Sequence, residues 1–390
     1  MDKNQKALNA HKLWQGKVEV ISRCKVNTKE DLATAYTPGV AAPCLEIEKN
    51  KDLSYTYTRK GNMVAVISDG SAVLGLGNIG PEASMPVMEG KCVLFKEFAG
   101  VDAFPLCIAT QDTEEIIKTI YNISKSFGGI NLEDISAPRC FEIEKRLKEI
   151  CDIPVFHDDQ HGTAIVVAAG LLNALKLKKI PLENARIVIN GAGSAGISIA
   201  KHLLNMGAKD ITMVDLKGII AKENDWQNHA QNDMAKITNI RNLKGGLDQA
   251  MKDSDVFIGV SAPDVVTKEM IESMAENPIL FAMANPIPEI MPDKALEYGA
   301  YIVGTGRSDF PNQINNVLAF PGIFKGALSV RASRINEEMK IAASFAIADM
   351  ICEKDLRPDY IIPSALDKTV AENVAKAVAD AAVKTKVSRI

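Results

Sequence analysis

The chain has 390 residues, 47% of them apolar, a net charge of −4 and seven cysteines. That is enough chain for two or three domains with a sizeable core, and the slightly acidic balance gives no general attraction to nucleic acid or anionic membrane. The cysteines show no CxxC pair, the polar start "MDKNQKALNAHKLWQGKVEV" lacks a signal-peptide core, and no apolar run spans a bilayer, so a soluble, cytoplasmic protein with reduced thiols is expected.

In chain order, "AYTPGVAAPC" (35–44) first places Tyr36 before a Thr-Pro-Gly turn, where tyrosines usually serve packing. The strand pattern "MVAVIS" (63–68) leads into Gly75-Leu-Gly77-Asn-Ile-Gly80. Pro81 and Pro86 follow so closely that no long helix is expected to open at the last glycine. Residues 70–80 therefore read as a glycine-rich loop, either a structural turn or a backbone cradle for a small ligand. On a helical wheel of "PVMEGKCVLFKEF" (86–98), Val87, Met88, Phe95 and Phe98 share a face with Lys91 at its centre. A lysine so placed snorkels out or is held in a site. Burial would depress its pKa and make it a base near neutral pH.

Strand patterns then recur at 103–109, 129–136 and 153–158, with the helical pattern "RCFEIEKRLKEI" (139–150) before the last of them. "GINLEDIS" ends with Glu133 and Asp134, and "IPVFHDD" with Asp158 and Asp159. If these strands are parallel, both acidic pairs emerge at one carboxyl edge, where such sheets bind ligands. With neighbouring strands about 5 Å apart, up to four carboxylates converge. They would repel each other or hold protons unless a hard divalent cation, Mg²⁺ or Mn²⁺, lies among them. Because strand neighbours face opposite ways, one of Asp158 and Asp159 is free for acid–base work. His157 and His161 are expected as hydrogen-bonding neighbours and not as ligands. The plain alternative is two solvated acidic strand ends.

A second series follows an apolar run, "AIVVAAGLL" (164–172): strand patterns at 185–190, 210–215, 255–260, 279–285 and 301–306, with helical segments between most of them. Gly191-Ala192-Gly193-Ser194-Ala195-Gly196 follows the strand "ARIVIN" and opens a helix, and the next strand ends in Asp215. That is the full context of a dinucleotide site: a tight turn against the pyrophosphate, helix N–H groups facing it, and an acid for a ribose hydroxyl. Asp215 favours NAD, while Lys217 and Lys222 offset its repulsion of the 2′-phosphate of NADP, so the cofactor is NAD or NADP. From about Gly326 the chain is helical by period. The alternation as a whole predicts an α/β protein. Residues 1–158 form an N-terminal substrate and metal domain, and 159–390 a Rossmann-type dinucleotide domain with C-terminal helices.

Taken together, the stretches "YTPGVA" (36–41), "SDGSAVLGLGNIGP" (68–81), "MPVMEGKCVLFKEFAGVDAFPL" (85–106), "NLEDI" (131–135), "FHDDQHGTA" (156–164), "NGAGSAGISIA" (190–200), "ANPIPE" (284–289) and "INNVLAFPG" (314–322) resemble the malic enzymes, in their short prokaryote-type form. The resemblance implies oxidative decarboxylation of L-malate to pyruvate and CO₂. It implies Tyr36 as the acid that protonates the enolate carbon. Lys91 is implied as the base at the substrate hydroxyl, with Asp158 sharing that role. Glu133, Asp134 and Asp159 are implied as metal ligands, Asn285 lies near nicotinamide and substrate, and Asn315 and Asn316 contact the substrate. It also implies a homodimer. The family's arginine before "LGLG" is Ala72 here, so another group must hold that malate carboxylate, the backbone of the 70–80 loop being the candidate. Two rivals stand beside this reading: a dehydrogenase of another small acid that needs no metal, and a non-catalytic dinucleotide sensor.

Overall fold

Two parallel sheets organise the chain in the computed structural model, which describes residues 2–73 and 75–390; Met1 and Leu74, the latter inside the glycine-rich loop 70–80, lie outside the described residues. The first sheet contains β1 (Met63–Ser68), β2 (Asp102–Cys107), β3 (Gly129–Leu132) and β4 (Val155–His157), in the order β2-β1-β3-β4. All its pairings are parallel. The second contains β5 (Arg186–Asn190), β6 (Asp210–Asp215), β7 (Gly218–Ile219), β8 (Val256–Gly259), β9 (Ile279–Ala282) and β10 (Ile302–Thr305), in the order β10-β9-β8-β5-β6-β7. Only the two-residue β7 runs antiparallel. It has too little pattern to be read from sequence.

The central strands are apolar without alternation because helices cover both faces. Val64, Ala65, Val66 and Ile67 of β1, for example, are all fully buried. Strand ends are trimmed relative to the sequence expectation. β3 stops at Leu132 and β4 at His157, so neither acidic pair lies in a strand. Asp158 and Asp159 instead form the first turn of the 21-residue helix Asp158–Lys178. A helix N-terminus carries partial positive charge from unpaired N–H groups, which favours acids there. That helix is buried on nearly every side from Ala164 to Leu175, as expected for an apolar run without an amphipathic face. Asn173 pins it by donating to the carbonyls of Ala348 and Ile361.

One expectation fails. A 19-residue helix, Pro81–Ala99, opens directly after Gly80 and includes Pro86. Proline at the first helical position has no N–H to satisfy and a suitable φ, and the missing N–H of Pro86 deletes only one bond near the start. The buried face of this helix is Ser84, Met88, Lys91, Cys92, Phe95 and Ala99, whereas Val87 is exposed.

The C-terminal helices Phe320–Ser329, Glu337–Ala348 and Thr369–Lys384 share one apolar cluster with both sheets. Phe320 and Phe324 meet Phe95 edge-on at 4.7 and 5.3 Å between ring centres, and Phe324 meets Phe156 at 5.9 Å. Each of these rings is worth roughly 1.5–3 kcal/mol by burial, plus a smaller gain from the T-shaped geometry. Distant parts of the sequence thereby pack beneath the first sheet's carboxyl edge.

Candidate active site

Register places the acids side by side. Leu132 pairs with His157, so the next residues, Glu133 and Asp158, are level, and Asp134 and Asp159 follow. Lys91 points into this edge from the helix Pro81–Ala99. Its Nζ lies 2.7 Å from Asp158 Oδ2 and 2.9 Å from Glu133 Oε1, and 4.4 Å from the centre of the Phe320 ring. Asn316 donates to the same Asp158 oxygen. Glu133 accepts from Asn131 Nδ2 at 2.8 Å, and Asp159 accepts from the backbone N–H of Asp134 at 2.8 Å. Space for the Asp158 carboxylate depends on Gly162, where a Cβ would come within 1.9 Å of Oδ1.

Glu133, Asp134 and Asp159 each present an oxygen, all within 4.8 Å of one another. Asp134 stands in the left-handed region, φ 54°, which aspartate tolerates better than most residues. Its Oδ2 is buried without a hydrogen-bond partner. Burial, then Asp159 and Glu133, push the Asp134 carboxyl up to about 9. Burial also raises Glu133 and Asp159. Three carboxylates that repel, with an orphaned oxygen among them, are a donor set suited to a hard divalent cation.

The expectation that burial depresses Lys91 is reversed. Burial does work against its charge, but Asp158 and then Glu133 outweigh it and hold the ammonium above the ordinary lysine value. The group near neutrality is instead Asp158, which burial raises to about 7 against the pull of Lys91. Lys91 and Asp158 thus form a buried ion pair whose titration is coupled to the charge of the neighbouring cluster.

The second site is the glycine turn. Gly191 has φ 111°, and a Cβ there would lie 2.5 Å from the Val260 carbonyl oxygen. A Cβ at Gly196 would lie 1.8 Å from the Gly191 oxygen, so the helix Ser194–Asn205 can sit close only with glycine there. Gly193 faces open space, which leaves the approach to Ala192, Ser194 and Ala195 clear for phosphate. Asp215, the last residue of β6, accepts from Gln231 Nε2 and from the N–H of Leu216, both at 2.6 Å.

The remaining expected residues divide. Asn285 lies after β9, its carbonyl oxygen 3.5 Å from where a Cβ on Gly75 would stand, so the second sheet's edge meets the 70–80 loop. Asn316 joins the lysine–carboxylate group. Asn315 caps the short turn Asn316–Leu318 through Val317 N–H. Tyr36 is 67% exposed, and no hydrogen bond among the described residues joins its phenol to the cluster. At Ala72 the backbone N–H donates to the Asp134 carbonyl, so that amide is already occupied. His161 hydrogen-bonds Glu144 and Lys340, as a neighbour and not a ligand. His157, expected as a hydrogen-bonding neighbour, is buried with neither ring nitrogen in a hydrogen bond; its Nδ1 lies 3.8 Å from Asp159 Oδ2, too far for one. Asn131, Gly162 and Phe320 had no signal in the sequence beyond their place in quoted motifs.

A carboxylate cluster with a buried lysine at the carboxyl edge of one parallel sheet, and a glycine turn of Rossmann type at the carboxyl end of β5 in the second, are the elements of an NAD(P)-linked oxidoreductase. The chain belongs to the malic enzyme family: residues 15–148 match the "Malic enzyme, N-terminal domain" and residues 160–383 the "Malic enzyme, NAD binding domain". It is 58% identical over 391 residues to the "Bifunctional malic/malolactic enzyme" of Bacillus subtilis, covering 100% of this chain and 95% of that protein. It is 50% identical to the "NADP-dependent malic enzyme" of Halomonas elongata over 99% of this chain and 95% of that one. The crystal structure of the NAD-dependent malic enzyme of Thermotoga maritima superposes with a TM-score of 0.92 at 49% identity, covering 96% and 98% of the two chains. This protein is an NAD(P)-dependent malic enzyme, which oxidises and decarboxylates malate.

Proposed function

We propose that L-malate is turned over at the carboxyl edge of the first sheet, with Glu133, Asp134 and Asp159 holding Mg²⁺ or Mn²⁺ and Lys91, with Asp158, acting as base. The observation that carries this reading is Lys91 Nζ within 3 Å of two carboxylates beside the three-acid group. Lys91 and Asp158 accept the proton of the C2 hydroxyl as hydride leaves C2 for the nicotinamide. Glu133, Asp134 and Asp159 would hold a divalent ion, which would supply Lewis acidity for the negative charge that develops as CO₂ departs and would offset the carboxylate field that keeps Lys91 protonated. Gly191 to Gly196 seat the pyrophosphate and Asp215 the adenosine ribose, while Asn285, Asn315 and Asn316 orient the substrate. The boundary between the units falls at 158/159, and the protein works in the cytoplasm; no helix among the described residues is long and apolar enough to cross a membrane.

Initial rates with malate under NAD and NADP in turn, each with Mg²⁺ or Mn²⁺ and then with excess EDTA, test this. Pyruvate formation that stops with EDTA and returns with the ion is the expected result. Full dehydrogenase activity in EDTA would favour the metal-independent rival.

Tyr36 supplies the proton to C3 in this scheme, and its exposure fits a homodimer in which the N-terminal segment serves a partner's cleft. The helices Lys3–Trp14, Lys29–Ala35 and Ala41–Lys49 bury no residue within the chain. Leu13, Trp14, Val20, Ile21 and Val26 are all more than half exposed, and apolar side chains exposed together in one segment suit a partner surface. Tyr36→Phe should therefore lower malate turnover by about 10²–10⁴-fold and stop exchange of the pyruvate methyl protons with D₂O. Methyl exchange at the wild-type rate would remove the tyrosine from the step, and a monomer by sedimentation would remove the dimer.

A further inference from the structure

Glu289 is fully buried in the dinucleotide unit, with no cation among its hydrogen-bond partners. One oxygen accepts from Ser261 N–H at 2.8 Å and from the Ser261 hydroxyl at 3.2 Å; the other accepts from Ala284 N–H at 3.0 Å. Ser261 Oγ in turn accepts from Asn190 Nδ2 at 2.8 Å. Asn190 ends β5, Ser261 lies two residues beyond β8, and Ala284 two residues beyond β9. One carboxylate therefore ties together the carboxyl ends of three adjacent strands, the edge where parallel sheets bind ligands.

Both ends of this tie reach functional residues. Val260, next to Ser261, carries the carbonyl against which Gly191 packs. Ala284 immediately precedes Asn285, which abuts Gly75 of the first unit's loop. The backbone has been shaped around the acid: a Cβ on Gly259 would fall 2.4 Å from Glu289 Cδ. Burying an unpaired carboxylate is costly, and three neutral donors offset that cost only if their backbones are held in place. The acid and the segments it joins thus fix each other.

We propose that Glu289 is a positioning residue for hydride transfer: it sets the Asn285 segment against the glycine turn, and so sets the nicotinamide's distance from C2 of the substrate. This rests on the active-site reading above. Glu289→Gln keeps the volume but turns an NH₂ group toward Ser261 N–H or Ala284 N–H, donor against donor, which breaks one tie of the pair.

The test separates the two chemical halves of the reaction. Malate oxidation needs hydride transfer to the nicotinamide, whereas divalent-ion-dependent decarboxylation of added oxaloacetate, the 2-keto diacid, transfers no hydride and so does not depend on the distance from the nicotinamide to C2. In E289Q, kcat for malate oxidation should fall by about ten- to a hundredfold, NADH binding by fluorescence should weaken, and the primary isotope effect with 2-deuteromalate should rise. Oxaloacetate decarboxylation should stay within about twofold of wild type. Equal loss of both activities, or an unchanged isotope effect, would mean a structural role and overturn the proposal. If E289Q does not fold, Ser261→Ala, which removes only the hydroxyl link, carries the same test with a smaller shift in the same direction. Wild-type protein that decarboxylates no oxaloacetate would instead contradict the active-site reading.

Discussion

Lys91→Ala lowers malate turnover by about 10²–10⁴-fold, the range set by loss of a positioned general base, while NADH still binds. The amine belongs to the helix Pro81–Ala99 and touches no residue of the turn 191–196, so dinucleotide affinity measured by fluorescence should not move. Stability should. Without the amine, Asp158 and Glu133 face each other buried and uncompensated; if they stayed charged the cost would be about 3–5 kcal/mol. They hold protons instead. A carboxyl whose folded pKa is raised contributes its stability below the unfolded pKa and loses it as pH rises through the folded value. The Tm gap between wild type and variant should therefore widen from pH 5 to pH 8. Turnover near the wild-type rate would remove Lys91 from the chemistry, and a pH-independent gap would show that the acids are not coupled through it.

Divalent ions should stabilise the protein more at high pH than at low. With its carboxyl raised to about 9, against about 3.9 in an unfolded chain, Asp134 binds a proton more tightly when folded. The metal-free protein accordingly loses stability as pH climbs from about 4 toward 9. An ion must displace that proton, so its apparent Kd should tighten by about tenfold per pH unit between 6 and 8. Calorimetric titration with Mn²⁺, together with Tm shifts at pH 6 and pH 8, measures this directly. Asp159→Asn should abolish most of the shift at both values. An Mn²⁺ affinity that ignores pH, or survives in that variant, would mean the ion sits elsewhere.

Much of the site could be read before any coordinates, because its parts follow from local periods. Two parallel strands with acids at equivalent ends bring those acids together whatever else the fold does. The turn at 191–196 needed only its strand, helix and following Asp215. The misreadings came from interactions that no local window contains. Pro81 seemed to forbid a helix, yet it occupies the one position where a missing N–H is harmless. Lys91 was expected to lose its proton through burial. Its charge state is set instead by Asp158 and Glu133, far along the chain, and the magnitude of such opposed terms follows only from distances. Glu289 offered nothing to a sequence reading, since an acid inside "NPIPE" looks like an ordinary loop charge. Tyr36 was placed by resemblance alone, and among the described residues no hydrogen bond joins its exposed phenol to the acids or to Lys91.

Phe320 and Asn316 sit against Lys91 and Asp158 although both come from the last quarter of the sequence. Synthesis runs from the other end, so the ribosome exposes the acids and the amine long before it delivers the ring and amide beneath them. A chain that ends before residue 316 leaves the amine without that floor. Competence to consume malate therefore requires synthesis at least through Phe320, and the order of translation itself acts as a safeguard against half-made catalysts.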